Sequence, residues 1–172
     1  DLPRRIAYVP QQAWPFAGTV ASNLQSGAPG ADAAAMRHAL EVAQADFITG
    51  DADGLARRVS QGGTNFSGGQ RQRLAIARAL MKHADLYIFV DSFSALDFKT
   101  DAALRHALAA ETKDAAGLIV AQRISTVLAA DRIVVLEDGC VAGIGRHAEL
   151  LESCAVYRDI VASQMKGGVT HG

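Results

Sequence analysis

The sequence predicts an α/β fold, and three observations carry the prediction. Short, uninterrupted apolar runs at 86–90, 118–121 and 133–136 have the length of buried strands rather than helices. From residue 67 onward these runs alternate with stretches whose apolar residues fall at helical spacing, the pattern of a parallel sheet flanked by helices. Finally, Phe66-Ser67-Gly68-Gly69-Gln70-Arg71-Gln72-Arg73 runs straight into Leu74-Ala75-Ile76-Ala77-Arg78-Ala79-Leu80. A hydroxyl and two glycines thus stand at the mouth of a strong helix. The first turn of a helix has unpaired N–H groups and the positive end of the helix dipole. Glycine lets a ligand approach those groups, so this is the chemistry of an anion site, phosphate above all.

In order along the chain, Ile6-Ala7-Tyr8-Val9 reads as a strand stopped by Pro10. Thr19 caps a short helix through Leu24, and residues 26–32 form a Gly- and Pro-containing loop. Asp32 caps the next helix, where Met36, Leu40 and Ala43 share a face. Residues 50–66 read as loop, and the phosphate-type helix spans 67–82. The run 86–90 is apolar at every position, as expected of a strand buried on both faces in a parallel sheet. A helix over 98–112 carries Leu104 and Leu108 on one face. Two further buried strands follow at 118–121 and 133–136, with a short helix near 125–129 between them. Asp138-Gly139 predicts a tight hairpin pairing 133–136 with 141–144. Helices near 147–152 and 154–165 close the chain, and the Gly-rich stretch 166–172 reads as a flexible tail.

Composition narrows the function classes. At 49% hydrophobic residues, the 172-residue chain can bury a sizeable core. Its 17 basic and 18 acidic residues nearly cancel, which argues against wholesale nucleic-acid binding. The helix run Arg71, Arg73, Arg78 reads as solvation and local pairing, and no nucleic-acid partner is expected. No apolar run approaches the roughly 18 residues a membrane span requires. Cys140 and Cys154 have no ligand-like spacing to the five histidines and read as reduced structural thiols.

Several short motifs stand in one order. These are Tyr8-Val9-Pro10-Gln11, Phe16 through Leu24, Phe66 through Gln70, Leu86 through Asp91, Ser94-Ala95-Leu96-Asp97, and Ala121-Gln122-Arg123-Ile124-Ser125-Thr126. They resemble, in turn, the Q-loop, the segment after it, the signature, the Walker B strand, the D-loop and the H-switch of the ATP-binding cassette (ABC) family. The resemblance covers about residues 2–165 and is nearest to the exporter branch. It implies a P-loop NTPase-like parallel sheet with a helical signature subdomain, as a partial ATP-binding domain over 1–165. Residues 16–66 would be a mostly helical insertion leading into the signature helix. It also implies ATP and Mg2+ as cofactors. Ser67, Gly68, Gly69 and Gln70 would clamp the γ-phosphate of an ATP held by a partner cassette. Gln11 would reach the metal, and Asp97 would help connect the two sites of a dimer. Trp14 either packs on the helical insertion or meets a membrane-domain helix.

The departures from the family pattern are specific. No G-x-x-x-x-G-K-[ST] occurs in the chain. In this family Walker A precedes the Q-loop, so it is expected before Asp1, in a longer protein. Counting back from Ser94–Asp97 puts Val90 where the family has its Walker B Asp, a residue that helps hold magnesium. Asp91 then takes the place of the catalytic Glu with a shorter side chain, unless it merely caps a turn. Gln122 stands at the switch His position; it donates hydrogen bonds but carries no proton at neutral pH, unless it is a plain surface glutamine. Asp for Glu and Gln for His resemble the degenerate subunit of a heterodimeric exporter.

The resemblance therefore implies a cassette on the cytoplasmic face of the plasma membrane. It would couple ATP hydrolysis to export beside a second half-transporter and a transmembrane domain, and would be inactive as an ATPase on its own. Two rivals differ in class. A non-functional remnant would keep the fold motifs by descent. A soluble DNA-repair-type ABC ATPase would need long coiled coils, for which the insertion is too short and lacks sustained heptads.

Overall fold

The structure, a computed structural model, describes residues 5–167. The chain divides into two compact units, residues 1–120 and 121–172.

The first unit is built on a parallel sheet in the order β1 (Ile6–Val9), β4 (Leu86–Val90), β5 (Ala116–Val120). Val9 lies opposite Phe89 and Val90 opposite Val120, so the three C-terminal strand ends lie side by side. Tyr87 and Phe89 point into the core from β4, stacked with ring centroids 6.3 Å apart. Leu86, Ile88 and Val90 on its other face are only half-buried, so the expected burial of 86–90 on both faces is corrected to one buried face. Between β1 and β4 run β2 (Gly18–Thr19), α1 (Val20–Gln25), α2 (Ala33–Val42), α3 (Asp46–Thr49), β3 (Arg58–Val59) and α4 (Gly68–Leu80). Helix α5 (Phe98–Glu111) then leads to β5. Leu74, Ile76 and Leu80 of α4 join Leu24, Leu40, Ile48 and Leu104 in one continuous core.

The caps form as the sequence predicts. Thr19 Oγ1 accepts from Ser22 N–H and Ser22 Oγ from Thr19 N–H, a reciprocal capping box. Asp32 accepts from Ala35 N–H at the start of α2. Two further predictions need correction, and one element carried no prediction. Residues 50–66 are not plain loop: Arg58–Val59 pairs antiparallel with Gly18–Thr19, and 3-10 turns occupy Gly54–Ala56 and Gln61–Gly63. Helix α3 was unsignalled, because four residues are too short to show a period. The run 118–121 is not buried on both faces. Strand β5 pairs with β4 along one edge, and Leu118 and Val120 are each 51% exposed.

The second unit comprises α6 (Ile124–Val127), β6 (Ile133–Glu137), β7 (Cys140–Gly145), α7 (His147–Ser153) and α8 (Ala155–Gly167). The hairpin forms at Asp138-Gly139, both with positive φ (48° and 77°), as a primed turn requires. Strand β6 is another correction. It belongs to a two-stranded antiparallel sheet, and only alternate residues, Ile133 and Val135, are buried, with Leu150, Cys154 and Tyr157. Helix α8 takes in Lys166 and Gly167 of the expected tail; residues 168–172 lie outside the described residues.

Candidate functional site

Strand order dictates where the first pair of candidate residues meets. Strands β1 and β4 are parallel neighbours, so the residues just past their C-terminal ends converge. This is the edge at which open α/β sheets bind ligands. Gln11 Nε2 donates to Asp91 Oδ2 at 3.2 Å across an interval of 80 residues. Asp91 is held from both sides: its N–H donates to Val120 O at 2.7 Å, and its carbonyl accepts from Ser94 Oγ at 3.0 Å. Its φ is 46°, a left-handed value that an aspartate tolerates better than most residues. Val90, one position earlier, ends the strand and brings only carbon to this edge.

Two residues that the sequence did not flag secure the same edge. Ser92 is fully buried, and its Oγ lies 3.0 Å from Val9 O and 3.3 Å from Val90 O, tying the two strand ends. Gln72, 3% exposed, donates from Nε2 to Pro10 O at 3.0 Å, fixing α4 to the turn that carries Gln11. Its one sequence signal is position: a glutamine on the stripe otherwise formed by Ala75, Ile76 and Ala79.

The N-terminus of α4 is the second candidate. Ser67 caps it: Ser67 Oγ accepts from Gln70 N–H at 3.2 Å, and Gln70 Oε1 accepts from Ser67 N–H at 2.9 Å. Arg71 N–H donates to Ser67 O at 2.9 Å. The amides of Gly68 and Gly69 stand at the open end of the helix, and Ser67 and Gly68 are exposed. The two glycines differ. A Cβ at Gly69 would meet Ala95 O at 3.1 Å and Leu96 Cδ2 at 3.4 Å, so glycine here lets the helix start press on the 94–97 loop. A Cβ at Gly68 would meet nothing nearer than Arg71 Nη2 at 3.9 Å, so packing does not demand glycine there.

The arginines of α4 bind locally, as expected. Arg71 donates to Phe66 O at 2.7 Å. Arg73 donates to Gln44 O at 2.6 Å and lies over the Phe47 ring at 4.8 Å. Arg78 lies 5.2 Å above the Phe16 ring, and burial lowers its pKa. Trp14 is 60% exposed and leans on the backbone of Gly62, where an added Cβ would come within 3.1 Å of the ring.

Asp97 is the N-cap of α5. It accepts from Thr100 N–H at 2.9 Å and from Thr100 Oγ1 at 2.7 Å. The Thr100 backbone N–H first, and then its hydroxyl, hold the Asp97 carboxyl below the usual aspartate range. Gln122 belongs to the second unit and is exposed. Its carbonyl accepts from Gln164 Nε2 at 2.6 Å, while Gln164 Oε1 accepts from Ile124 N–H at 2.8 Å. A side chain on α8 thus holds the loop that carries Gln122, a contact without sequence signal.

A parallel sheet with polar groups gathered at its C-terminal edge, and a capped, glycine-opened helix beside it, is the architecture of an α/β protein suited to bind an anion. Residues 1–93 match the family described as ABC transporter, and the chain belongs to that family. It is 46% identical over 171 residues to an uncharacterized ABC transporter ATP-binding protein of Mycobacterium tuberculosis, covering 97% of this chain and 29% of that protein. It is 42% identical over 161 residues to the ATP-dependent lipid A-core flippase of Ralstonia nicotianae, covering 91% of this chain and 27% of the flippase. A bacterial Atm1-family ABC exporter solved with ATP bound aligns with a TM-score of 0.91 at 33% identity, covering 95% of this chain and 29% of that one. The chain thus spans less than a third of the length of these relatives. It is an ATP-binding domain of exporter type. Among the described residues no helix is long and apolar enough to cross a membrane.

Domains of this family bind ATP, normally with Mg2+. The amides of Gly68 and Gly69 at the helix dipole suit a phosphate. For magnesium, a hard cation that takes oxygen ligands, the strand edge offers the Asp91 carboxylate and the Gln11 amide oxygen. With substrate phosphates supplying the remaining ligands, one carboxylate is a sufficient protein share, so this donor set fits the ion.

Proposed function

We propose that this chain is the signature-bearing part of a cassette whose own ATP half-site is degenerate, in an exporter that pairs it with a competent partner cassette. Its task is to present Ser67, Gly68 and Gly69 to the γ-phosphate of an ATP held by the partner. It would then pass the closure to a transmembrane domain at the cytoplasmic face of the plasma membrane. The observation that carries this is the contrast between two sites in one unit. The start of α4 is capped, open and correctly built for an anion, with Gly68 free of any packing reason to be glycine. The end of β4 carries Val90 and the short Asp91 in place of the family's two acidic residues.

On this reading Mg2+, when bound with ATP, offsets phosphate charge and polarises the terminal phosphate. The chain's own groups have narrower roles. Ser67 and the glycine amides donate to phosphate oxygens. Gln11 and Asp91 bring oxygens to the metal side, and Gln122 can donate a hydrogen bond but moves no proton. Asp97 starts the helix that follows the loop pressed by Gly69.

The test is ATP turnover by the complete transporter. Ser67→Ala is expected to cut it by about 100-fold or more, as removal of a positioned oxyanion donor does in other enzymes. Gln122→His is expected to leave it within about twofold, because the partner's site does the turnover. Near-native turnover in Ser67→Ala would sink the reading.

A further inference from the structure

The end of β4 carries one carboxylate, and Gln11 touches it. We propose that Asp91 is the carboxylate that holds the divalent cation at this chain's own nucleotide site, with Gln11 as co-ligand, instead of activating water there. The proposal rests on reading β4 as the Walker B strand.

Magnesium is octahedral with oxygens at 2.0–2.1 Å, so neighbouring ligand oxygens lie about 3 Å apart. Gln11 Nε2 and Asp91 Oδ2 are 3.2 Å apart. A half-turn of the Gln11 amide exchanges its nitrogen for its oxygen. The pair then presents two oxygens at close to the required spacing. At Val90, the position that holds the metal in the family, there are only methyl groups. The cation's protein charge therefore has one source at this strand end, Asp91.

Asp91 is also fixed for a ligand's role. Its N–H bond to Val120 O, its carbonyl bond from Ser94 and its positive φ anchor the backbone on both sides. Gln11 is positioned in turn by the Gln72 bond to Pro10 O. One residue then accounts for both departures in β4: Asp91 replaces the lost Walker B carboxylate, and the water-activating group is the one this site lacks.

The experiment uses the full-length transporter with its partner. The readout is photolabelling of this subunit by 8-azido-ATP, in EDTA and across a MgCl2 titration. Native protein is expected to label more strongly with Mg2+ than in EDTA. Asp91→Asn should keep the EDTA level and shift the Mg2+ midpoint upward by on the order of 10- to 100-fold. The double variant Val90→Asp with Asp91→Asn should restore the native midpoint, which also covers the case in which Asp91→Asn alone folds poorly. A Mg2+ midpoint unmoved by Asp91→Asn overturns the proposal, since a residue that only polarises water or ties two strands would leave it unchanged. Native labelling that is equal in EDTA and Mg2+ overturns it too. If this subunit takes no label under any condition while its partner does, the metal role falls together with the assignment of a nucleotide half-site here. Ser67→Ala turnover would still decide the signature's role separately.

Discussion

Gly68 and Gly69 are adjacent and chemically identical, yet they are glycine for different reasons. Gly69→Ala drives a methyl against Ala95 O and Leu96, at 3.1 and 3.4 Å, in a place where backbone must give. It is expected to destabilise the first unit by about 1–3 kcal/mol, seen as a lowered thermal midpoint. Gly68→Ala meets open space and gains helix propensity, so the midpoint should hold or rise while turnover of the complete transporter falls. The pair separates packing from ligand access within one helical turn. Asp97 offers a pH test. Its folded pKa is lowered, so its contribution to stability is complete above the ordinary aspartate value of about 3.9 and is lost as pH falls through the lower folded value. Asp97→Asn should flatten that acid limb in a helicity-against-pH titration. At this scale the sequence was most informative where the chemistry is local, as with Thr19 and Asp32 at the starts of α1 and α2; the Thr100 partner of Asp97 and the Gln70 partner of Ser67 came only with the structure. The contacts Ser92 to Val9 and Gln72 to Pro10 span 83 and 62 residues and depend on strand order, so no local pattern announces them.

Among the elements, α5 and the Trp14 loop give the clearest tests. Leu104 is fully buried on α5, and Leu104→Ala should cost about 2–5 kcal/mol by denaturant unfolding. Trp14 is the chain's single tryptophan, and its ring rests on Gly62, whose φ is 67°. Gly62→Ala should cost about 1–2 kcal/mol for the left-handed backbone and shift the tryptophan emission to the red as the ring leaves its seat. Element type was legible wherever a run exceeded one turn or strand length, as with β1, α2, α4, β4 and α5. Burial was less so. A continuous apolar run shows that both faces can be covered, but not that they are. At β5 and β6 they are not: Leu118 and Val120 are each 51% exposed, and Val134 and Leu136 are 54% and 64% exposed. The two-residue ladder β2–β3 has no periodicity to detect; it arises from the tertiary approach of residues about 40 apart.

At the scale of the molecule, apolar surface decides behaviour in solution. Leu118 and Val120 in the first unit, and Val134, Leu136, Val141 and Ile144 in the second, are all about half or more exposed. Strand surface of this kind recruits other chains. The 172-residue chain studied alone should bind a hydrophobic dye while folded and should melt irreversibly. Leu118→Lys with Val134→Thr should reduce both effects without changing the far-UV circular dichroism. The two thiols report on the second unit: Cys140 is exposed on β7 and Cys154 is buried against β6 and α7. A thiol reagent should label one cysteine at once and the other only as that unit opens, giving its opening free energy apart from that of the first unit.

The helix start proposed to read another subunit's nucleotide lies so near the loop leading from β4 to Asp97 that an added Cβ at residue 69 would meet Ala95 O at 3.1 Å. On the proposed reading, a methyl group at residue 69 is the smallest wedge that would hold the phosphate-facing helix start away from the loop that follows β4.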